Sequence, residues 1–189
     1  AGIIVSLPSA AGLYVLAYPI CDLLYGVPQA GFPLEPLAFS CIALAAFQLS
    51  SAGLQGIGRP QIAMRHLIIT GILKVFFNYT LTSIPIWNIK GAAVGTVIAF
   101  SVGSLLNLIS LKRLTQVKYE YGRLIKIVII TILMGIGTKL TYNFLVATDI
   151  KSHLATVLAI IAGVGIYGVL LIAIKEFDIN MIKRMFRGV

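Results

Sequence analysis

Two lysines lie inside apolar segments of the sequence, where a charged group is unfavourable. Lys74 and Lys139 interrupt long apolar runs, and an asparagine follows each of them four residues later, at Asn78 and Asn143. Residues four apart share one face of a helix, so each pair would present a cation beside an amide. A lysine at the centre of a membrane helix costs about 2.5–3.5 kcal/mol on insertion scales. This cost indicates a compensating role, such as binding an anion.

The direction of the two helices distinguishes the lysines. Side chains lean towards the N-terminus of their helix. With both helices running outwards from the cytoplasm, the Lys74 ammonium leans towards the nearer cytoplasmic interface, and snorkelling to that interface is an alternative to a binding role. Lys139 lies in the outer half of its segment and leans deeper into the membrane. We therefore expect Lys139 to face the protein interior.

A third polar face is predicted on an earlier segment. Gln48, Ser51 and Gln55 fall at positions i, i+3 and i+7 of an apolar run, and this spacing places them on one side of a helix. Three such faces around a common space would form a hydrated, cationic cavity. Phosphates are the obvious class of anionic ligand for it. The alternative is interhelical hydrogen bonding that only holds the helices together.

The elements that must position these residues are membrane-spanning helices. Of the 189 residues, 59% are hydrophobic and only 11% are charged, and the mean hydropathy is +0.99. Soluble domains carry about 25% charged residues, and disordered chains are poor in apolar residues, so both classes are excluded. Six segments reach the length of about 20 residues that a spanning helix needs. They are 2–24, 36–57, 66–86, 91–111, 124–146 and 154–174.

The distribution of Lys and Arg predicts the orientation of these helices. Of the 15 cations, 11 lie on one side of the predicted membrane and two, Lys90 and Lys151, lie on the other; the remaining two are the lysines inside the spans. Positively charged loops stay in the cytoplasm, so both ends of the chain are predicted to be cytoplasmic. The net charge of +9 is then a feature of membrane topology, and nothing indicates nucleic-acid binding.

The fourth predicted span carries small residues at regular intervals. Gly91, Gly95, Ala99 and Gly103 follow one another every four residues, which forms a ridge on which another helix can pack closely. The ridge predicts a compact bundle. Static packing and a sliding interface between moving helices are both compatible with it.

Catalysis and metal binding are not favoured. None of the six acidic residues lies near the middle of a span, and Cys21 and Cys41 have no metal-ligand spacing. Residues 163–168, GVGIYG, match the glycine pattern of a dinucleotide site. They lie inside an apolar helix, however, and that site requires a preceding strand in a βαβ unit. We expect no enzymatic activity, no metal and no cofactor.

Three stretches resemble one transporter superfamily. They are SLPSAAGLYVLAYPICDLLYG, SSAGLQGIGRPQIAMRHLIITGILKVFFNYTL and IPIWNIKGAAVGTVIAFSVGSLLNL. They resemble the multidrug/oligosaccharidyl-lipid/polysaccharide exporter superfamily, and within it the branch of stage V sporulation protein B and polysaccharide biosynthesis. The most specific features are an LQG-G-P turn before a lysine-bearing helix and an IKGAA-GT helix start. Lys74 matches a position that this branch often fills with lysine.

The resemblance implies an all-α membrane protein with two six-helix lobes and up to two additional helices. This chain, whose first residue already lies in an apolar run, would be the last six helices of a fourteen-helix member, with the N-terminal lobe missing. Its four C-terminal-lobe helices would occupy 1–115, the two additional helices 116–175 and a cytoplasmic tail 176–189. In related flippases the last two helices help to form a groove for the lipid tail. Spans 124–146 and 154–174 are the candidates here.

The implied function is transport across the bacterial inner membrane by alternating access. Similar members flip undecaprenyl-pyrophosphate-linked oligosaccharides, including peptidoglycan precursors, so the expected partners are membrane lipid, an anionic lipid-linked sugar and the missing lobe. Whether the protein serves spores, cell walls or capsules stays open. The alternatives are a cation-coupled multidrug antiporter of the same superfamily, and a membrane remnant or scaffold that transports nothing.

Overall fold

The structure, a computed structural model, describes residues 2–115, 121–148 and 151–173, and within these ranges every regular element is helical. The predicted tail at 176–189 lies outside the described residues. A single 3-10 turn at Pro28–Ala30 precedes the third α-helix. The α-helices are α1 Gly2–Val15, α2 Ala17–Tyr25, α3 Gly31–Gly56, α4 Pro60–Thr82, α5 Asn88–Thr115, α6 Tyr121–Ala147 and α7 Ser152–Ala173.

Five of these helices are long and apolar enough to cross a membrane, as an all-α membrane protein requires. A sixth span exists if α1 and α2 form one bent unit, because the two helices meet at an angle of 77°. The first predicted span, 2–24, is therefore broken. The break falls at the buried Leu16, whose backbone leaves the helical region at φ −107° and ψ 21°. Hydropathy predicts the length of an apolar run but not a change in its direction.

The turn between α3 and α4 explains the LQGIGRP stretch. Gly58 adopts a left-handed backbone with φ +74°, and its N–H donates to the Gln55 carbonyl while Arg59 N–H donates to the Leu54 carbonyl. These two bonds are a Schellman motif, which favours glycine at the left-handed position. Pro60 then begins α4, where its missing N–H costs nothing. The glycine and the proline thus end one span and begin the next.

The helices form two groups that meet where α1 packs on α3 and where α2 contacts both α3 and α7. In the first group, α5 packs against both α3 and α4. In the second group, α6 and α7 pack against each other and α6 packs against α1. The contact between α1 and α3 joins the α3–α4–α5 group to the α1–α6–α7 group. Among the described residues, α6 makes no contact with α3, α4 or α5.

The small-residue ridge of α5 lies at its contact with α4. Gly91, Gly95, Ala99 and Gly103 are all buried. A Cβ added at Gly91 would collide with the backbone carbonyl of Leu81, and one at Gly95 would lie 3.0 Å from a backbone nitrogen of α4. The two backbones therefore approach too closely for larger side chains. This closeness provides dispersion contacts, which drive helix association where lipid removes the hydrophobic effect.

The outer surface of the bundle is apolar. On α4, Ile72, Val75 and Phe76 are 64%, 71% and 58% exposed. Lipid chains can cover such side chains, and a soluble monomer rarely exposes so large an apolar patch. Many serine and threonine hydroxyls donate to a carbonyl of their own helix, as Thr70 does to the His66 carbonyl at 2.7 Å. These hydroxyls are satisfied without water, as the bilayer core requires.

Candidate functional site

A polar network joins the three helices of the α3–α4–α5 group. Asn107 of α5 is fully buried, and its amide nitrogen donates to Ser51 Oγ at 2.8 Å and to the Phe47 carbonyl of α3 at 3.4 Å. Its amide oxygen lies 2.8 Å from Nδ1 of His66 on α4. One side chain therefore bonds to both neighbouring helices. A buried amide satisfied in this way fixes the relative register of the helices that it joins.

The same network orients His66 towards Asn107. Because the amide nitrogen of Asn107 faces Ser51 and the Phe47 carbonyl, its oxygen faces His66 and accepts a hydrogen bond from Nδ1 of the imidazole. The imidazole of α4 is thereby tied to α5.

A cavity opens between α3 and α4 beside this network. Its volume is about 620 Å³. The predicted polar face of α3 lies on it, with Gln48, Ser51 and Gln55, and α4 contributes a further glutamine, Gln61. The remaining wall is apolar, and no charged side chain lines it in the part of the chain that the structure describes. This cavity, hereafter the α3–α4 cavity, is therefore neutral and mostly apolar, with three amides and one hydroxyl on its wall.

The polar side chains that line the α3–α4 cavity differ in whether they have a hydrogen-bond partner in the protein. Within the described ranges, the side-chain amides of Gln48, Gln55 and Gln61 form no hydrogen bond to the protein. The hydroxyl oxygen of Ser51 accepts from Asn107, which leaves its own hydrogen available to donate. All three glutamines are exposed, and Gln55 and Gln61 lie in the terminal turns of α3 and α4. The α3–α4 cavity therefore offers several donors and acceptors to water or to a polar ligand.

Lys74 lies next to the wall of this cavity. Its ammonium sits 5.6 Å from the centre of the Phe100 ring of α5, within the distance of a cation–π contact. Phe100 in turn packs edge-to-face on Phe47, with ring centres 5.8 Å apart, and Phe47 lines the cavity. At 1.5 Å per residue, Lys74 is about 21 Å along α4 from Pro60 and about 12 Å from its end.

No carboxylate balances Lys74 in the described part of the chain. Only two acidic side chains fall there, Asp22 and Glu35. Glu35 pairs with Lys90 at 3.8 Å, at the opposite end of α3 from Gln55, and the Lys90 ammonium also lies 4.3 Å from the centre of the Phe32 ring. In the described ranges, the contact that the structure gives the Lys74 ammonium is therefore the Phe100 ring.

The structure separates Asn78 from the α3–α4 cavity. With its amide nitrogen turned towards α5, Asn78 donates to the Ala92 carbonyl at 3.0 Å and to the Lys74 carbonyl at 3.2 Å. Gly95 packs directly on it. Asn78 therefore holds α4 against α5, which is the interhelical role that the sequence left as an alternative.

Lys139 and Asn143 lie apart from the other predicted site residues. Both are exposed on α6, whose buried face consists of other residues, among them Ile130, Met134 and Thr138. Because α6 packs on α1 and α7, the third polar face does not border the α3–α4 cavity. The structure thus brings Gln48, Ser51 and Gln55 together on one cavity and places Lys74 outside the residues that line it. It does not gather the three polar faces around one space.

An apolar groove runs along the α1–α6–α7 group. Its volume is about 540 Å³, and its walls include Ile4, Leu13, Met134, Ile160 and Val164. Polar groups are few and lie at its edges. This groove, hereafter the α1–α7 groove, contains no lysine or arginine along the described residues that line it.

A proline and a tyrosine shape this groove. Pro8 lies inside α1 and has no N–H, so the carbonyl of Ile4, four residues earlier, loses its helical partner. The hydroxyl of Tyr167 on α7 donates to that carbonyl at 2.6 Å. Tyr167 thereby replaces the backbone hydrogen bond that α1 loses at Pro8, and it attaches α7 to α1 at the Ile4 carbonyl.

Three of the residues in these contacts were not predicted from the sequence: Asn107, His66 and Tyr167. Asn107 continues the ridge of α5 by one further step of four residues after Gly103, so its place on the packing face could have been predicted. His66 begins the predicted span 66–86, and its contact with Asn107, 41 positions away, follows from no local pattern. The pairing of Tyr167 with Ile4 joins residues 163 positions apart, and no local pattern predicts it.

The described residues contain no cluster of three or more side chains that could hold a metal ion. Cys21 and Cys41 are free thiols. The polar groups that converge in this part of the chain are amides, hydroxyls, one imidazole and one ammonium.

Comparison with known proteins gives two informative similarities. The chain is 27% identical over 173 residues to the lipid II flippase MurJ of Bacillus subtilis, covering 84% of this chain and 31% of that protein. It is 22% identical over 183 residues to a probable low-salt glycan biosynthesis flippase of Haloferax volcanii, covering 96% of this chain and 38% of that protein. The chain is similar to flippases.

The two relatives are much longer than this chain. It spans about a third of the length of each. No family model matches it, and no solved structure does. The similarity supports a membrane flippase of the superfamily predicted above.

Proposed function

We propose that this chain is part of a flippase that moves a lipid-linked oligosaccharide across a membrane. Both relatives are named as flippases, one for lipid II and one for glycan biosynthesis. In the finer form of the proposal, the chain supplies helices of the C-terminal lobe, in the sporulation and polysaccharide-biosynthesis branch. The substrate is an undecaprenyl-pyrophosphate-linked sugar, and the membrane is the bacterial inner membrane with both ends of this chain in the cytoplasm.

Lys74 is the observation that carries the proposal. Its ammonium lies well inside a membrane-spanning helix, rests on an aromatic ring and has no carboxylate partner in the described ranges. Keeping such a charge in lipid is costly, and an anionic ligand offsets that cost by forming charge-assisted hydrogen bonds. The pyrophosphate of a lipid-linked sugar is an anion of this kind.

The two openings suit the two ends of such a substrate. The α3–α4 cavity provides neutral hydrogen-bonding groups, and the α1–α7 groove provides an apolar surface of about 540 Å³. We assign the groove to the polyprenyl chain, because a hydrocarbon gains contact there without removing any charge from water. The resemblance that assigned a lipid-tail groove to the last two spans supports this placement.

The positions of the two acidic side chains in the described ranges favour a flippase over a cation-coupled antiporter. An antiporter of that kind uses an acidic side chain within the membrane to carry its coupling ion. In the described ranges, Glu35 lies in the first turns of α3 and is paired with Lys90, and Asp22 lies in the last turns of α2. Neither lies in the middle of a long span.

Translocation by the full-length protein tests the proposal. Proteoliposomes would contain a polyprenyl-pyrophosphate-linked disaccharide, and the rate at which it reaches the opposite leaflet would be measured. The unmodified protein is expected to accelerate translocation over protein-free vesicles, whereas Lys74→Met is expected to lower the rate about tenfold, which corresponds to about 1.4 kcal/mol. Lys74→Arg keeps the charge and should retain most of the activity.

A matched control separates the site from general effects of charge. Lys112 lies in the last turn of α5 and is exposed, so Lys112→Met removes a lysine from the same group of helices without touching the α3–α4 cavity. Its rate should equal that of the unmodified protein. A protein that does not accelerate translocation, or equal rates in Lys74→Met and Lys112→Met, would contradict the proposal.

A further inference from the structure

The neutral chemistry of the α3–α4 cavity points to a ligand group other than phosphate. Gln48, Gln55 and Gln61 line it with amides that have no hydrogen-bond partner in the described part of the chain, and Ser51 adds a hydroxyl hydrogen. Amides and hydroxyls can both donate and accept. Groups of this kind match the hydroxyl and acetamido groups of a sugar, which are also uncharged donors and acceptors.

The apolar part of the wall supports the same ligand class. Phe47, Ala63 and Met64 face the cavity between the amides. A sugar ring presents C–H faces as well as hydroxyls, so a wall that alternates amide and apolar groups fits it. A phosphate would find no cation in this wall, and a hydrocarbon would leave the amides without partners at a substantial cost.

The position of Ser51 is set by the buried network. Asn107 holds its oxygen at 2.8 Å and is itself held by His66 at 2.8 Å. The Ser51 oxygen is thereby held in place before any ligand arrives, while its hydrogen can still rotate towards an acceptor. A donor held in advance loses less conformational entropy on binding than a free one.

We propose that the α3–α4 cavity binds the sugar portion of the lipid-linked substrate, with Gln48, Gln55 and Ser51 as its specificity-determining residues, separately from the phosphate at Lys74. This assignment rests on the proposed function. Leu67, at the edge of the cavity, and Lys74 are seven residues apart on α4, which is about 10 Å along the helix axis. Two different chemical groups of one substrate can therefore reach the two positions together.

Two binding probes distinguish the sugar site from the phosphate site. The first is polyprenyl pyrophosphate, and the second is the same lipid bearing N-acetylglucosamine on the pyrophosphate. The Kd of each would be measured with the full-length protein in detergent. The unmodified protein should bind the sugar-bearing probe more tightly, because the sugar satisfies amides that the first probe leaves exposed to water.

Substitution of the glutamines should remove this preference alone. The double variant Gln48→Leu/Gln55→Leu should bind the sugar-bearing probe about tenfold more weakly, as expected for the loss of two hydrogen bonds, and the sugar-free probe with unchanged affinity. Lys74→Met should weaken both probes by the same factor and keep the preference. Gln29→Leu, at the opposite end of α3 and exposed, is the matched control and should change neither Kd.

The outcomes separate this inference from the proposed function. Equal binding of the two probes by the unmodified protein, or equal weakening of both probes in the glutamine variant, would overturn the sugar site while the flippase proposal stands. Binding of neither probe by the unmodified protein would overturn the proposed function itself. A selective loss of affinity for the sugar-bearing probe would establish the site.

Discussion

In the α3–α4–α5 group one buried side chain, Asn107, bonds to two other helices, whereas the buried threonines of the α1–α6–α7 group bond only to their own helix. The buried hydroxyls of the first group, on Ser50, Thr70 and Ser104, also bond to their own helix. Asn107 connects α5 to both α3 and α4. Thr131, Thr138 and Thr156 instead donate to carbonyls four residues earlier on the same helix. The cross-helix bond from Tyr167 serves a carbonyl that Pro8 has left without a partner.

This difference corresponds to the two openings. The α3–α4 cavity lies beside the Asn107 network and carries amides, whereas the α1–α7 groove is apolar and lies beside the single bond from Tyr167 to the Ile4 carbonyl. The proposed function assigns the polar head group of a substrate to the first group and its lipid chain to the second. The comparison also predicts that stability depends on different kinds of contact in the two groups.

The largest effect on stability is expected where α4 and α5 touch. A Cβ at Gly91 would meet the backbone of Leu81, which cannot move as a flexible side chain can. We predict that Gly91→Ala destabilises the full-length protein by about 2–3 kcal/mol through overpacking. Thermal unfolding in detergent measures this loss as a lower Tm.

A glycine of the other group is the control for this substitution. Nothing lies within 4 Å of a Cβ built at Gly165 on α7. Gly165→Ala should therefore keep or slightly raise the Tm, because alanine favours the helix by up to about 1 kcal/mol. Equal Tm values for the two alanine variants would show that the α4–α5 contact is not as close as described.

The second largest loss of stability is expected for substitution of Asn107, whose side-chain amide is buried. Asn107→Leu leaves His66 and Ser51 without their cross-helix partner, and we predict a loss of about 2 kcal/mol because buried polar groups then lack hydrogen bonds. Asn143→Leu, on the exposed face of α6, should not lower the stability. Chemical unfolding of both variants measures the difference. An Asn107→Leu protein as stable as the Asn143→Leu protein would mean that the network does not hold the helices.

The smallest predicted loss of stability concerns the hydrogen bond between Tyr167 of α7 and the Ile4 carbonyl of α1. Tyr167→Phe removes the bond to the Ile4 carbonyl, and we expect a loss of about 1 kcal/mol. In a Pro8→Ala background the new N–H can bond to that carbonyl, so the same tyrosine substitution should cost almost nothing. A double-mutant cycle measures this coupling. The control is Tyr79→Phe, because Tyr79 is 80% exposed on α4. Additive effects of Tyr167→Phe and Pro8→Ala would show that the Tyr167 hydroxyl does not compensate for the proline.

Much of the helical framework could be predicted from the sequence. Apolar length indicated the spans, and the glycine and proline of LQGIGRP indicated the end of α3 and the start of α4. These are local properties of the chain. The bend at Leu16 could not be predicted, because an apolar run has the same composition whether it continues or turns.

The site was harder to predict than the framework. The i, i+3, i+7 spacing places Gln48, Ser51 and Gln55 on one face of α3, because helical periodicity alone decides which residues share a face, and all three line the α3–α4 cavity. Whether Lys139 shares a space with Lys74 depends on which helices touch, and sequence periodicity carries no information about that. The position of Asn107 on the packing face could have been predicted from the sequence, because this residue extends the ridge of α5 by one step of four residues.

The most direct test of the account compares the lysines of the two groups in one translocation assay. Full-length protein carrying Lys74→Met or Lys139→Met would be reconstituted with the same polyprenyl-pyrophosphate-linked disaccharide. We predict about a tenfold lower rate for Lys74→Met and a change of less than about twofold for Lys139→Met, because Lys139 is exposed on α6 and α6 makes no contact with α4 among the described residues. An unchanged rate in a folded Lys74→Met protein would contradict the account.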